Sequence, residues 1–337
     1  MTNSVKKCFS KSFFSKAVAL VFATALTLMP GCQGADPVAE AIHARIYIAD
    51  TGNNRVVRID DMDGRNWQEC TGSPTEKRGG FSNPQGLYVD MNGKIFLADT
   101  GNSRIIRMDN MLAEGWIAVG TAGDGKGQFK EPVSVCSDRE GHIYVADKAG
   151  CRITRMDDLN FGHWTTLGGR GKGANHFSSP AGMFVDQNEK IDVADACDNL
   201  HDACNNRVVQ MDDIDGSGWH SHGRGPGDGK AQFSSPIGLC KDGHGHIYIA
   251  DTFNNRIVVI DDIEGGHWQA LGNGPGSGIG QFNNPSAVWV DSTYHIYIAD
   301  TGNNRIVRVD DISGKNWMVY TGDSNRALKS PMAIVLR

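Results

Sequence analysis

A nineteen-residue phrase written six times constrains this chain more than any other feature. It reads ADTGNNRIVRVDDISGKNW at 299–317 and recurs with small changes at 49–67, 98–116, 146–164, 194–219 and 250–268. Successive starts lie 49, 48, 48, 56 and 49 residues apart. A period in this range marks a repeat architecture whose units cannot bury their apolar faces alone and must pack side by side. A second phrase separates the copies: NPQGLYVD (83–90), EPVSVCSD (131–138), SPAGMFVD (179–186), SPIGLCKD (235–242), NPSAVWVD (284–291) and SPMAIVLR (330–337). Proline followed by alternating apolar residues signals the start of a strand, here strand A. A turn leads to strand B (IFLAD, 95–99, and its equivalents), and a TGNN-type turn to strand C (RIIRMD, 104–109). A turn often opening Asp-Asp then leads to strand D at a Trp: Trp67, Trp116, Trp164, Trp219, Trp268 or Trp317. A large ring repeated once per unit is packing between neighbours before it is a binding aromatic.

Six units of four strands predict an all-β fold, a six-bladed β-propeller with four-stranded antiparallel blades. The first copy, 44–67, lacks a strand A, and 330–337 is a strand A with nothing after it. The last strand is therefore expected to complete the first blade, closing the ring and leaving no open edge. The repeats fill the chain from about residue 44 to its end, so 44–337 reads as one monomeric propeller domain.

Residues 1–32 read as a targeting segment and stand apart from the fold. Lys6, Lys7, Lys11 and Lys16 precede the apolar run AVALVFATALTLM (17–29), which is short for a membrane span. The run ends Met29-Pro30-Gly31-Cys32, which resembles the lipobox of bacterial lipoproteins, although Met29 and Pro30 depart from the usual pattern. That resemblance implies lipidation of Cys32, with membrane attachment through the N-terminal lipid alone. An ordinary signal peptide cleaved nearby is the alternative. Gln33 after the Cys favours, by the same resemblance, the outer membrane or periplasmic face of a bacterial envelope, and 33–43 reads as a tether. Export predicts an oxidising compartment. Of the cysteines beyond Cys32, Cys197 and Cys204 are close together in one loop and are expected to pair; the others are scattered, and no C-x-x-C is present. A net charge of −6 with scattered Lys and Arg argues against a nucleic-acid surface.

The pattern A-D-T-x-N-N-R-I-x-x-x-D after a Pro-initiated strand resembles the NHL repeat, over about 290 of the 337 residues. The resemblance implies the propeller fold and says little about activity. Asp50, Asp99, Asp147, Asp195, Asp251 and Asp300 share one repeat position, and Arg55, Arg104, Arg152, Arg207, Arg256 and Arg305 another. A single catalytic site is asymmetric, so residues present in every blade read as structural ion pairs. No residue reads as catalytic. The Asp-Asp turns lack a full calcium loop, and Asp readily makes local turn bonds.

Function is expected where the copies differ, on the face carrying the B–C and D–A loops. Blade 4 carries seven extra residues in ACDNLHDACNN (196–206), blade 3 has Lys148-Ala149-Gly150-Cys151 for the TGNN turn, and blade 5 has Phe253 for Gly. Lys148, Asp198, His201, Asp202 and Phe253 are the binding-face candidates, since loops on a rigid scaffold concentrate recognition. His176, His201 and His222, with Asp198 and Asp202, also map near blade 4; their chemistry suits a divalent transition metal, but their spacing matches no ligand motif. No cofactor is otherwise expected. A protein or peptide partner is the leading reading, by analogy with extracellular NHL propellers. The alternatives are a metal-dependent lyase or hydrolase at the channel mouth and a structural envelope component without a discrete ligand. Propeller lactonases hold a central metal with inward carboxylates and NHL-like amidating lyases use histidines, whereas the strand A bodies here carry Lys241 and no His or Glu.

Overall fold

The computed structural model describes residues 44–73, 75, 79–197 and 204–337. The targeting segment with Cys32, the tether to residue 43, and Asp198, His201 and Asp202 lie outside the described residues. The described chain forms six four-stranded antiparallel sheets, with no α-helix among the described residues. Blade 2 shows the plan: strand A is Pro84–Val89, B Ile95–Asp99, C Arg104–Met108 and D Ile117–Val119. In blade 1 the C-terminal strand Pro331–Leu336 pairs with Ile46–Asp50, Ile46 opposite Leu336 and Ile48 opposite Ile334. The ring therefore closes through the last strand, as the sequence predicts.

Strand B reads as a near-continuous apolar run because its blade is covered on both faces. IFLAD at 95–99 and IYVAD at 143–147 are buried at every position. The core is a set of wedges between successive blades. One wedge joins Ala98 and Ile105 of blade 2 to Val135 and Val145 of blade 3, and another joins Val208 of blade 4 to Ile249 of blade 5. Burying both faces of each blade is the main stabilisation available to an all-β ring, since apolar area contributes about 25 cal/mol per Å².

The repeated phrase is a wiring diagram. Asp99, fully buried at the end of strand B, accepts the Ser82 N–H at 2.7 Å on Oδ1. On Oδ2 it accepts Arg104 Nε at 2.7 Å and Asn102 Nδ2 at 2.9 Å. Arg104 also donates to the Gly80 carbonyl at 2.9 Å and lies over the Trp116 ring. Together these clamp the loop that enters the blade. Thr and the second Asn reach the other way, to the next blade. Thr100 Oγ1 donates to Pro132 O at 2.7 Å, and Asn54 Oδ1 accepts the Asn83 N–H at 2.7 Å. That second position is left-handed in all six turns, with φ between 47 and 54° at Asn54, Ser103, Cys151, Asn206, Asn255 and Asn304. Asn tolerates this conformation better than most residues. The same clamp seals the ring: Asp50 Oδ1 accepts the Lys329 N–H at 2.7 Å, and Arg55 donates to Ala327 O at 2.9 Å.

In blades 2 to 6 the Trp packs against a Phe ring from the loop ahead of strand A. Trp164 meets Phe129 at 5.5 Å, Trp219 meets Phe177 at 5.4 Å and Trp268 meets Phe233 at 5.3 Å between centroids. Blade 1 departs: Leu328 holds the Phe position and Trp67 faces Tyr320.

Candidate functional site

Strand A lines the axis in every blade and encloses a cavity of about 440 Å³. Its second residue after Pro is small because the strands crowd there. A Cβ on Gly182 would lie 2.2 Å from the Ile237 carbonyl, and one on Gly238 2.5 Å from that of Ser286. Two residues further on, large and small side chains alternate around the ring. Tyr88, Phe184 and Trp289 come from blades 2, 4 and 6; Cys136, Cys240 and Val335 come from blades 3, 5 and 1. The alternation gives each ring room beside a smaller neighbour, and Trp289 is the tryptophan that stands outside the strand D series.

Lys241 is a cation of the cavity wall, and it is paired. Its Nζ lies 2.6 Å from Asp192 Oδ2 and 3.2 Å from Asp186 Oδ2. Asp192 sits in strand B where the other blades carry Tyr or Phe, as IDVAD against IYVAD. Burial pushes the Asp192 carboxyl above the usual carboxylate range, against the pull of Lys241. Sequence reasoning singled out Lys241 and missed this partner, although an Asp at an aromatic repeat position was a legible signal.

The mouth on the B–C/D–A side is where the blades stop being alike. Lys148 and Ala196 occupy the Thr position in blades 3 and 4, so neither can make the hydroxyl bond to the next blade. Blade 4 extends instead into a longer hairpin, Ile191–Cys197 with Cys204–Met211, and Cys197 and Cys204 form a disulfide. Its clamp survives the insertion: Arg207 Nε reaches Asp195 Oδ2 at 3.1 Å and Asn205 Nδ2 the same oxygen at 2.6 Å. Phe253 in blade 5 is 48% exposed. Lys148 lies 3.3 Å from Glu131. Lys148, Cys197 and Phe253 all line the cavity. Three consecutive blades thus bring their departures from the repeat to one opening.

The ion pairs stand at Asp50–Arg55 (2.6 Å), Asp99–Arg104 (2.7 Å) and Asp300–Arg305 (2.7 Å), each with a fully buried carboxylate. His176 is exposed, its Nδ1 2.8 Å from the Ala174 carbonyl. His222 packs between Phe233 and Trp268. Among the described residues neither belongs to a group of three candidate metal ligands. The group that does form is Asp242, His244 and His246, in the A–B turn of blade 5.

Residues 81–107 match the family model of the NHL repeat. This segment runs from Phe81 through strands A and B into strand C, and so contains the Asp99–Arg104 clamp. Solved structures share the fold. A virginiamycin B lyase from Staphylococcus aureus is 16% identical with a TM-score of 0.54, covering 82% of this chain and 80% of its own. A streptogramin B lyase is 16% identical at 0.56, covering 87% and 90%. A chain of a nidogen/laminin complex is 15% identical at 0.63, covering 87% and 98%. No curated protein matches in sequence. At these identities the likeness extends to the fold.

Proposed function

We propose that the chain is an exported binding and scaffold module, held at a bacterial envelope by a lipid on Cys32, whose B–C/D–A face recognises a protein or peptide partner. The observation that carries this reading is the convergence of Lys148, the disulfide-bonded blade 4 hairpin and exposed Phe253 on one mouth. An exposed aromatic and a cation at one opening of a rigid scaffold offer a partner both an apolar and a charged contact. The likeness to a chain of the nidogen/laminin complex supports it, since that structure is of a protein–protein assembly. Crosslinking capture by the full chain from its own envelope extract tests the proposal. The parent is expected to hold a discrete partner that the Lys148→Ala/Phe253→Ala double variant loses; retention by the double variant overturns the assignment of the face.

A second reading, a metal-dependent lyase or hydrolase at the channel mouth, draws on the axial cavity and the likeness to a streptogramin B lyase. Cleavage of a streptogramin B by the full chain with a divalent cation would favour it over the binding module.

A further inference from the structure

The opposite face, built from A–B and C–D turns, carries a feature that the repeat does not explain. The A–B turns of blades 2, 4, 5 and 6 each open with an Asp whose Oδ1 accepts the N–H groups two and four residues on. In blade 5, His244 N and His246 N donate to Asp242 Oδ1 at 2.9 and 3.0 Å. Oδ2 faces His246 Nδ1 at 2.7 Å and accepts the Tyr248 hydroxyl at 3.3 Å. The same His–Asp pair stands in blade 3, His142 with Asp138 at 2.7 Å, and in blade 6, His295 with Asp291 at 3.0 Å. A His–Asp pair alone is therefore ordinary turn chemistry in this fold.

Blade 5 adds His244 at the middle of its turn, where the other A–B turns carry Asn92, Glu140, Asn188 and Thr293. Ligand atoms of Asp242, His244 and His246 then lie within 4.8 Å of one another. Each imidazole also has an outer partner. The His244 ring stacks on Tyr294 of blade 6, 4.8 Å between centroids and 9° from parallel, with the Tyr294 hydroxyl 3.3 Å from Nε2. His246 Nε2 faces Asp261 Oδ1 of the C–D turn at 3.8 Å. A ligand imidazole whose second nitrogen meets a carboxylate or hydroxyl has its ring orientation fixed and its basicity raised.

We propose that this turn binds one divalent transition cation of the imidazole-preferring kind, such as Zn²⁺, through His244, His246 and the Oδ2 of Asp242. Two nitrogens and one carboxylate suit zinc and its neighbours, and they do not suit the oxygen-loving calcium or magnesium. A tetrahedral site with bonds of about 2.0 Å sets its donors roughly 3.3 Å apart. The turn must draw its donors inward, which exposed His244 can do by side-chain rotation between flanking Gly243 and Gly245. A fourth position is left for water or a partner's side chain.

Zn²⁺ titration of the untagged full chain against a chromophoric chelator, with Co²⁺ absorption as a geometric readout, tests the site. One equivalent is expected to bind. His244→Ala should raise its Kd by about 100-fold or more, because even an outer partner is worth about 10- to 100-fold. Asp261→Asn should raise it about tenfold. His142→Ala and His295→Ala should leave it unchanged, as should the Lys148→Ala/Phe253→Ala variant on the other face. His244 contributes only its backbone N–H to the turn's own hydrogen bonds, so a matching melting curve shows that His244→Ala folds. Parent-like affinity in folded His244→Ala, or no stoichiometric Zn²⁺ on the folded parent, overturns the proposal.

Discussion

His222 shows how a single side chain ties this ring to pH. It ends strand D of blade 4 with its ring 6.2 Å from Phe233 and 6.1 Å from Trp268, and its buried Nε2 has no hydrogen-bond partner among the described residues. Burial holds its pKa below the ordinary 6.5, and Arg224 adds to the effect. In the unfolded chain the ring takes up a proton near 6.5; in the folded chain it does so only at lower pH. Acid therefore favours the unfolded state across the interval below 6.5. His222→Gln should lose less stability than the parent between pH 7.5 and pH 5, read as the difference in urea midpoint at the two values. Equal losses would show that His222 titrates alike in both states. The buried thiols of Cys136 and Cys240 are also pushed up by burial, which keeps them protonated and inert.

At the scale of the element, the D–A loop is held by its aromatic anchor. Phe129, Phe177, Phe233 and Phe282 are fully buried, each packed at a tilt against the Trp of the blade that the loop enters. Phe233→Ala should destabilise the fold by about 3–5 kcal/mol in urea unfolding, the usual cost of emptying an aromatic site. The strands and the Trp position are legible in the sequence because apolar alternation and a fixed period repeat together. The Phe series has the same period and went unread, because it sits inside Gly-rich loops and outside any run of alternating apolar residues. Asp192 was missed for a different reason. Its place at an aromatic repeat position was legible, but its partner was not until Lys241 of the next blade was found 2.6 Å away. The metal-ligand cluster escaped as well, since an Asp-Gly-His-Gly-His turn looks like turn chemistry until Tyr294 and Asp261 are placed around it.

For the whole molecule, closure is the property on which the rest depends. Six wedge-shaped cores each need a blade on both sides, so the first and last blades can be satisfied only by one another. Strand Pro331–Leu336 makes that contact through its ladder with Ile46–Asp50 and through the Asp50 and Arg55 clamp on the loop before it. Deleting 331–337 is expected to abolish the single cooperative melting transition. Unchanged melting would mean that the ring holds without its last strand. Closure was legible from the two incomplete ends of the repeat. Where the copies depart from the repeat was legible in the sequence; that Lys148, Cys197 and Phe253 line one cavity was not.

The blade 4 clamp has a consequence for how such a ring diversifies. Asp195 and Arg207 still meet although twelve positions separate them, and Asn206 still accepts the Ser235 N–H at 2.7 Å. The Asp–Arg clamp and the Asn bond to the next blade stand at the base of the turn, so they persist when a segment is spliced above them, at the cost in blade 4 of the Thr hydroxyl bond. The turn is a graft site: a segment whose ends return to hairpin spacing can be exchanged without renegotiating the architecture. The other five turns share that base, so six positions around one opening are open to independent change.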